Sequence, residues 1–150
     1  MNPQAIFGPV LALMLLTFLV WVYMYAQRIP FIVRTKMRQE QMTPLGFAQL
    51  SPPTVANPSD NLKNLFELPT LFYAICLMLY ALGRVDPLGL LMAWWFVFFR
   101  YCHSLVHCTF NHVLVRFSLY AISAAALWFM VLRAVAWVLW RIPPPGGFHG

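Results

Sequence analysis

Residues Ile6 to Ala26 form a run of 21 residues without a single charge. At 1.5 Å per residue a helix of that length is about 30 Å long, the thickness of a bilayer's hydrocarbon core. Backbone amides find no water in lipid, so such a run must close its hydrogen bonds within itself, as a helix. Three more apolar runs follow, Leu62 to Gly83, Leu88 to Cys108 and Leu114 to Trp140. None shows the alternating ten-residue strands of a membrane barrel. The expected fold is an all-α membrane protein, a bundle of four transmembrane helices forming one domain over residues 1–150. Composition agrees. Of 150 residues, 61% are hydrophobic and 9% charged, whereas soluble domains carry about 25% charged residues. So few charges cannot coat a globule in water, which excludes a soluble domain and a disordered chain. It also excludes a nucleic-acid binder, although the net charge is +6; that excess is better placed against anionic lipid and the cytosol.

No Lys or Arg precedes the first run and no small-residue cleavage site follows it, so it reads as an uncleaved anchor. Residues 28–61 are the only long polar connection. With Lys63 just beyond, it carries Arg28, Arg34, Lys36 and Arg38, and Pro44, Pro52, Pro53 and Pro58 interrupt it. It is expected to be a surface loop with one short amphipathic turn before Pro44. The stretch Asn57 to Asp60 offers capping residues ahead of the second span, and Gly83 stands where that helix would stop. The turn Arg84-Val85-Asp86-Pro87 is so short that the second and third spans should be antiparallel neighbours. The Pro/Gly tail from Ile142 to Gly147 cannot continue a helix, and His149 within it has no evident role. The positive-inside bias places the first connection in the cytosol and both termini on the opposite side. Cys76, Cys102 and Cys108 lie in apolar runs and read as reduced packing residues, with no disulfide framework.

The polar residues inside the spans are few. An ionisable group at the centre of a span costs about 2.5–3.5 kcal/mol on insertion scales, so such groups usually face an interior or a wet cavity. Asp60, Asn64 and Glu67 are spaced i, i+4, i+7; Arg100, His103 and His107 i, i+3, i+7; Arg116, Tyr120 and Ser123 i, i+4, i+7. Each set forms one stripe on a continuous helix. All three stripes fall in the cytoplasmic half, with Arg100 the deepest at about 12–15 Å. Stripes at one depth on neighbouring helices predict a shared cavity open to the cytosol. The competing reading makes Arg100 and Glu67 a pair that glues two helices, worth about 0.6 kcal/mol. Lys63 and Arg116 can equally snorkel to headgroups. His103 and His107 at i, i+4 have zinc-ligand spacing, with His112 and Glu67 as further donors, but the charge of Arg100 one turn away opposes a dication. Two histidines on one stripe cannot supply opposed haem ligands. Cys102 and Cys108 fall off the polar stripe, and Asn111 and His112 read as turn residues. The Trp and Phe residues read mostly as lipid-facing bulk or interface anchors. Ala121 with Ala124, Ala125 and Ala126 gives the last helix a small-residue face that permits close helix approach.

The ordered set Asn64-x-x-Glu67-x-Pro69, Arg100-x-x-His103, and Arg116 with Tyr120 four residues on resembles the MAPEG superfamily, the membrane-associated proteins of eicosanoid and glutathione metabolism. The resemblance covers roughly residues 5 to 140. It implies a homotrimer of four-helix subunits in a bacterial inner membrane, with glutathione as co-substrate bound between subunits. By motif position Asn64, Glu67, Arg100 and His103 would line the glutathione site, with His107 and Lys63 beside them, and Arg116 near the sulfur with Tyr120 close by. Arg100 and Lys63 suit the carboxylates and Glu67 the ammonium. A guanidinium at the sulfur favours the thiolate needed for attack on a lipophilic electrophile or a lipid peroxide. Two positions depart from the family's enzymes. Asp60 stands where a basic residue is usual, and His107 where Tyr is common. The alternative is a non-catalytic membrane protein that keeps the fold and uses its stripes for packing or another anionic ligand.

Overall fold

The structure, a computed structural model, describes residues 2–140; Met1 and the tail from residue 141, which includes Arg141, the Pro/Gly segment and His149, lie outside the described residues. The elements are α1 (Phe7–Thr35), α2 (Pro44–Leu50), α3 (Pro53–Asn64), α4 (Leu68–Ala81), α5 (Pro87–Cys108) and α6 (Val113–Leu139), with 3-10 turns at Pro3–Ile6 and Gln39–Met42. No strand occurs among the described residues. Four helical stretches are long and apolar enough to cross a bilayer: Pro3–Thr35, Pro53–Ala81, Pro87–Cys108 and Val113–Leu139.

Each span buries one face and leaves the rest apolar and exposed, as a helix in lipid can. On α1 the buried residues Val10, Leu13, Leu16, Val20 and Met24 recur every three or four positions, while Leu11, Phe18 and Trp21 point outward. Val10, Leu13, Leu16 and Val20 meet Phe72 of α4, Phe96 of α5 and Leu127 of α6 in a single core. The Phe72 and Phe96 rings stack with centroids 4.6 Å apart. The Tyr101 hydroxyl donates to the Ala12 carbonyl at 2.7 Å, tying α5 to α1. On α6 Ala126 is buried, whereas Ala121 and Ala125 face outward. Most tryptophans are exposed as expected; Trp137 is buried, under the guanidinium of Arg133.

The chain turns where the sequence allows it. Gly83 takes the left-handed conformation (φ 63°) after α4, and the Asp86 carboxylate caps α5 by accepting from Gly89 N at 3.0 Å. A Cβ at position 89 would meet Asp86 Oδ1 at 2.8 Å, so a larger residue there would push the capping carboxylate aside. Asn111, with φ 45°, makes the α5–α6 turn.

Three expectations need correction. First, α1 does not stop at Ala26. It continues to Thr35 through Pro30, because Phe31 packs edge-on against Phe47 of α2, ring centroids 6.0 Å apart. Second, the connection 28–61 is not a loop. The end of α1, the short helix α2 after Pro44 and most of α3 occupy it. Proline here starts helices, at the first positions of α2 and α3. Third, the second span is not one helix. It breaks at Leu65-Phe66-Glu67 between α3 and α4. Pro69 has no N–H for the Leu65 carbonyl, and its ring would clash with that carbonyl in a continuous helix. The break lets α3 pack on α1 and α5 while α4 leans towards α6 and α1.

Candidate functional site

At the break Leu65 N and Phe66 N take the carbonyls of Asn61, Leu62 and Lys63, but the Asn64 carbonyl loses its helical donor. Arg100 of α5 is the answer to that deficit. Its side chain is completely buried, and its Nη2 donates to the Asn64 carbonyl at 2.5 Å. A cation at a helix C-terminus is also favoured by the helix dipole. The guanidinium lies 5.2 Å from the centroid of the Tyr120 ring and 5.7 Å from that of Phe96. Its Nε and Nη1 are buried without a hydrogen-bond partner.

The neighbouring polar groups gather around this point. His103 Nδ1 is 3.0 Å from the Arg116 carbonyl oxygen, so α5 and α6 meet here. The His103 ring lies 5.9 Å from that of Tyr120 and 5.6 Å from that of His107. His103 Nε2 and His107 Nδ1 are likewise buried and unpartnered. The Arg116 side chain turns towards the α5–α6 turn, Nη1 donating to Asn111 Oδ1 at 2.6 Å. Asn111 in turn donates to Asn57 of α3 at 3.1 Å. Ser123 Oγ serves its own helix by donating to the Tyr120 carbonyl.

Arg100, His103, His107, Arg116, Tyr120 and the Asn64 backbone are therefore brought together. Glu67 and Lys63 stand apart from the buried cluster. The stripe Asp60, Asn64, Glu67 does not exist as such, because the helix that would carry it is interrupted before Glu67. Glu67 lies exposed in the break. Lys63 is exposed and pairs with Asp60, Nζ to Oδ1 2.8 Å. The structure so gives Asp60 a partner of its own.

Asn61 escaped the sequence reading. It is fully buried, accepts from Ser104 Oγ at 3.2 Å and donates to Cys108 Sγ at 3.4 Å. Its signal was present: Asn61 and Ser104 are polar residues at the same depth on spans that must touch. Cys108 thereby has a polar contact that its helical phase did not predict. Cys102 lines an apolar groove between α1 and α5. Among the described residues, no group of three or more His, Cys, Asp or Glu side chains converges as a metal site would require.

The break is testable on its own. Pro69→Leu restores the missing donor and should rejoin α3 to α4, so that Leu68 N rather than Arg100 takes the Asn64 carbonyl. If the site binds glutathione, affinity should fall about tenfold, because a guanidinium released from the Asn64 carbonyl is no longer held in one orientation and binding must order it again. Calorimetric titration of the variant checks this; unchanged affinity would make the break irrelevant to the site.

No curated protein and no solved structure matches the chain. A model of the MAPEG family matches residues 6–136, a stretch that holds all four spans but for the outermost ends of the first and last, together with the helix break at Pro69 and the Arg100 cluster, and the chain belongs to that family.

Proposed function

We propose that the cluster around Arg100 binds glutathione or a similar anionic thiol and either transfers it to a lipophilic electrophile or reduces a lipid peroxide arriving from the bilayer, two thiols becoming a disulfide as the peroxide becomes an alcohol and water. The carrying observation is Arg100: fully buried, with two guanidinium nitrogens uncommitted. A guanidinium held away from water is costly unless something anionic meets it, and its planar fork matches a carboxylate. His103 Nε2 and His107 Nδ1 add two more uncommitted polar atoms beside it. Glu67, exposed in the break, is placed to take an ammonium. Arg116 lies next to the cluster through its backbone; rotation of its side chain away from Asn111 would bring it to a sulfur, where it favours the thiolate. Tyr120 is its neighbour one turn on. The substrate's apolar part would enter from the lipid.

The same reading places three subunits around the site, glutathione between them, Lys63 reaching a carboxylate from the exposed rim, and the first connection in the cytosol of a bacterial inner membrane. The outward-facing Ala121 and Ala125 on α6 leave room for a second copy to approach closely.

The second reading is a non-catalytic protein in which Arg100 only staples the broken helix. The hydrogen bond to the Asn64 carbonyl favours it. Calorimetric titration of the detergent-solubilised protein with glutathione separates the two. The expected result is saturable heat at millimolar glutathione or below, weakened about tenfold in Glu67→Ala through loss of one exposed charge contact. Absence of heat at millimolar concentrations leaves the stapling role alone standing.

A further inference from the structure

The helix that begins with the turn at Pro3 runs to Thr35 over 33 residues. That is about 50 Å, against about 30 Å for the hydrocarbon core and 40–45 Å with the headgroups. Arg28 is the first charged residue of the chain, so it stands where hydrocarbon gives way to lipid phosphate. At this level the chain folds back on itself. Phe47 of α2 is buried against α1, and a cavity of about 320 Å³ remains between α1, α2 and α3.

Arg28, Lys63, Ser51, Ser59 and Asp60 supply the polar part of its wall. The Arg28 guanidinium is braced 4.2 Å from the centroid of the Phe47 ring rather than left to the solvent. Asp60 is the one carboxylate in the wall, and its Oδ1 is already bound to Lys63. Ser51 Oγ is buried with no hydrogen-bond partner, a costly state for a hydroxyl unless a ligand oxygen meets it. The same connection carries Arg34, Lys36 and Arg38, all exposed, and only Glu40 besides Asp60 as an acid. Exposed Ile29, Val33, Leu45 and Leu50 give the surroundings an apolar surface suited to lipid.

We propose that this cavity binds the phosphate of an anionic phospholipid headgroup, whose acyl chains stay in the adjoining leaflet. Arg28 takes the phosphate oxygens, Ser51 donates its free hydroxyl, and Arg34, Lys36 and Arg38 raise the local concentration of anionic lipid without fixing its position. The cavity shares Lys63 with the rim of the proposed glutathione site but none of the buried Arg100 cluster, and lipid binding here does not require glutathione.

The test uses the full chain in nanodiscs of phosphatidylcholine, alone or with phosphatidylglycerol added, and reads the midpoint of thermal unfolding. Native mass spectrometry counts retained lipid in parallel. Phosphatidylglycerol should raise the midpoint and be retained on the protein. Arg28→Gln should remove at least half of the shift, Arg28→Lys should keep most of it, and the triple change of Arg34, Lys36 and Arg38 to Gln should lower it less than Arg28→Gln does. Should Arg28→Gln fail to fold, Ser51→Ala gives the same reading, with a smaller shift and less retained lipid. The proposal is overturned if phosphatidylglycerol produces no shift, or if the shift survives both Arg28→Gln and Ser51→Ala. It is also overturned if inorganic phosphate in detergent protects as well as the lipid does, since the site would then be one for free anions.

Discussion

Arg100→Met should leave the protein's stability within about 2 kcal/mol of its starting value, while glutathione affinity drops about 100-fold or more. The two halves of this expectation come from different terms. Methionine keeps the unbranched stem and the packing between Phe96 and Tyr120, but removes a guanidinium that is wholly buried with Nε and Nη1 unpartnered. Exchanging a buried charge for a well-packed apolar side chain is often neutral or stabilising by about 1–4 kcal/mol. Against that stands the Asn64 carbonyl, which loses its donor at about 1–3 kcal/mol. The near-cancellation is informative because a purely structural Arg100 predicts a clear loss. The affinity term is larger. Two charge-assisted hydrogen bonds from one guanidinium to a carboxylate are worth about 3 kcal/mol together, or roughly 100-fold in affinity. Denaturation in mixed micelles and calorimetric titration measure the two quantities on one sample. A variant that is several kcal/mol weaker yet binds glutathione as before would reduce Arg100 to a staple.

The contrast between what the sequence disclosed and what it hid follows from the kind of signal involved. Four spans were legible because bilayer thickness imposes a length on every apolar run. Arg100, His103, His107 and Arg116 were legible because a polar residue stands out in such a run. The misjudged features depend on backbone hydrogen-bond supply instead. Pro69 was in plain view, yet its effect on the second span lies in a missing donor and a clash one turn earlier, and periodicity counts neither. Once the helix breaks, Glu67 leaves the stripe and Asn64 contributes its carbonyl rather than its side chain. The prolines of the first connection misled in the opposite sense. Pro44 and Pro53 looked like breakers but occupy first-turn positions, where proline is tolerated. Asn61 was missed because its importance comes from Ser104 and Cys108 on another helix, a pairing that no single stripe reveals.

Asp86→Ala should cost about 3 kcal/mol of stability and leave glutathione binding unchanged. Its Oδ1 accepts from Gly89 N and from Arg133 Nη1, each at 3.0 Å, and its Oδ2 accepts from Arg133 Nη2. One carboxylate thus caps α5 and clasps the far end of α6. Both side chains are mostly buried, 15% exposed for Asp86 and 17% for Arg133, so the pair belongs with buried bridges, whose breakage costs about 3–5 kcal/mol, rather than with surface pairs worth 0–1 kcal/mol. The lower end applies here because Trp137 continues to face the guanidinium at 4.4 Å. Asp86→Asn keeps an acceptor for Gly89 and should cost roughly half as much, the cap itself being worth about 1 kcal/mol. Adding Arg133→Met to Asp86→Ala should recover part of the loss, since it removes the orphaned cation. Glutathione binding is the internal control. Position 86 is 14 residues from Arg100, about 21 Å along the helix axis, so the clasp and the cluster occupy opposite ends of α5. A loss of 1 kcal/mol or less in Asp86→Ala would mean that solvent reaches the pair and that α5 and α6 are held by their apolar faces alone.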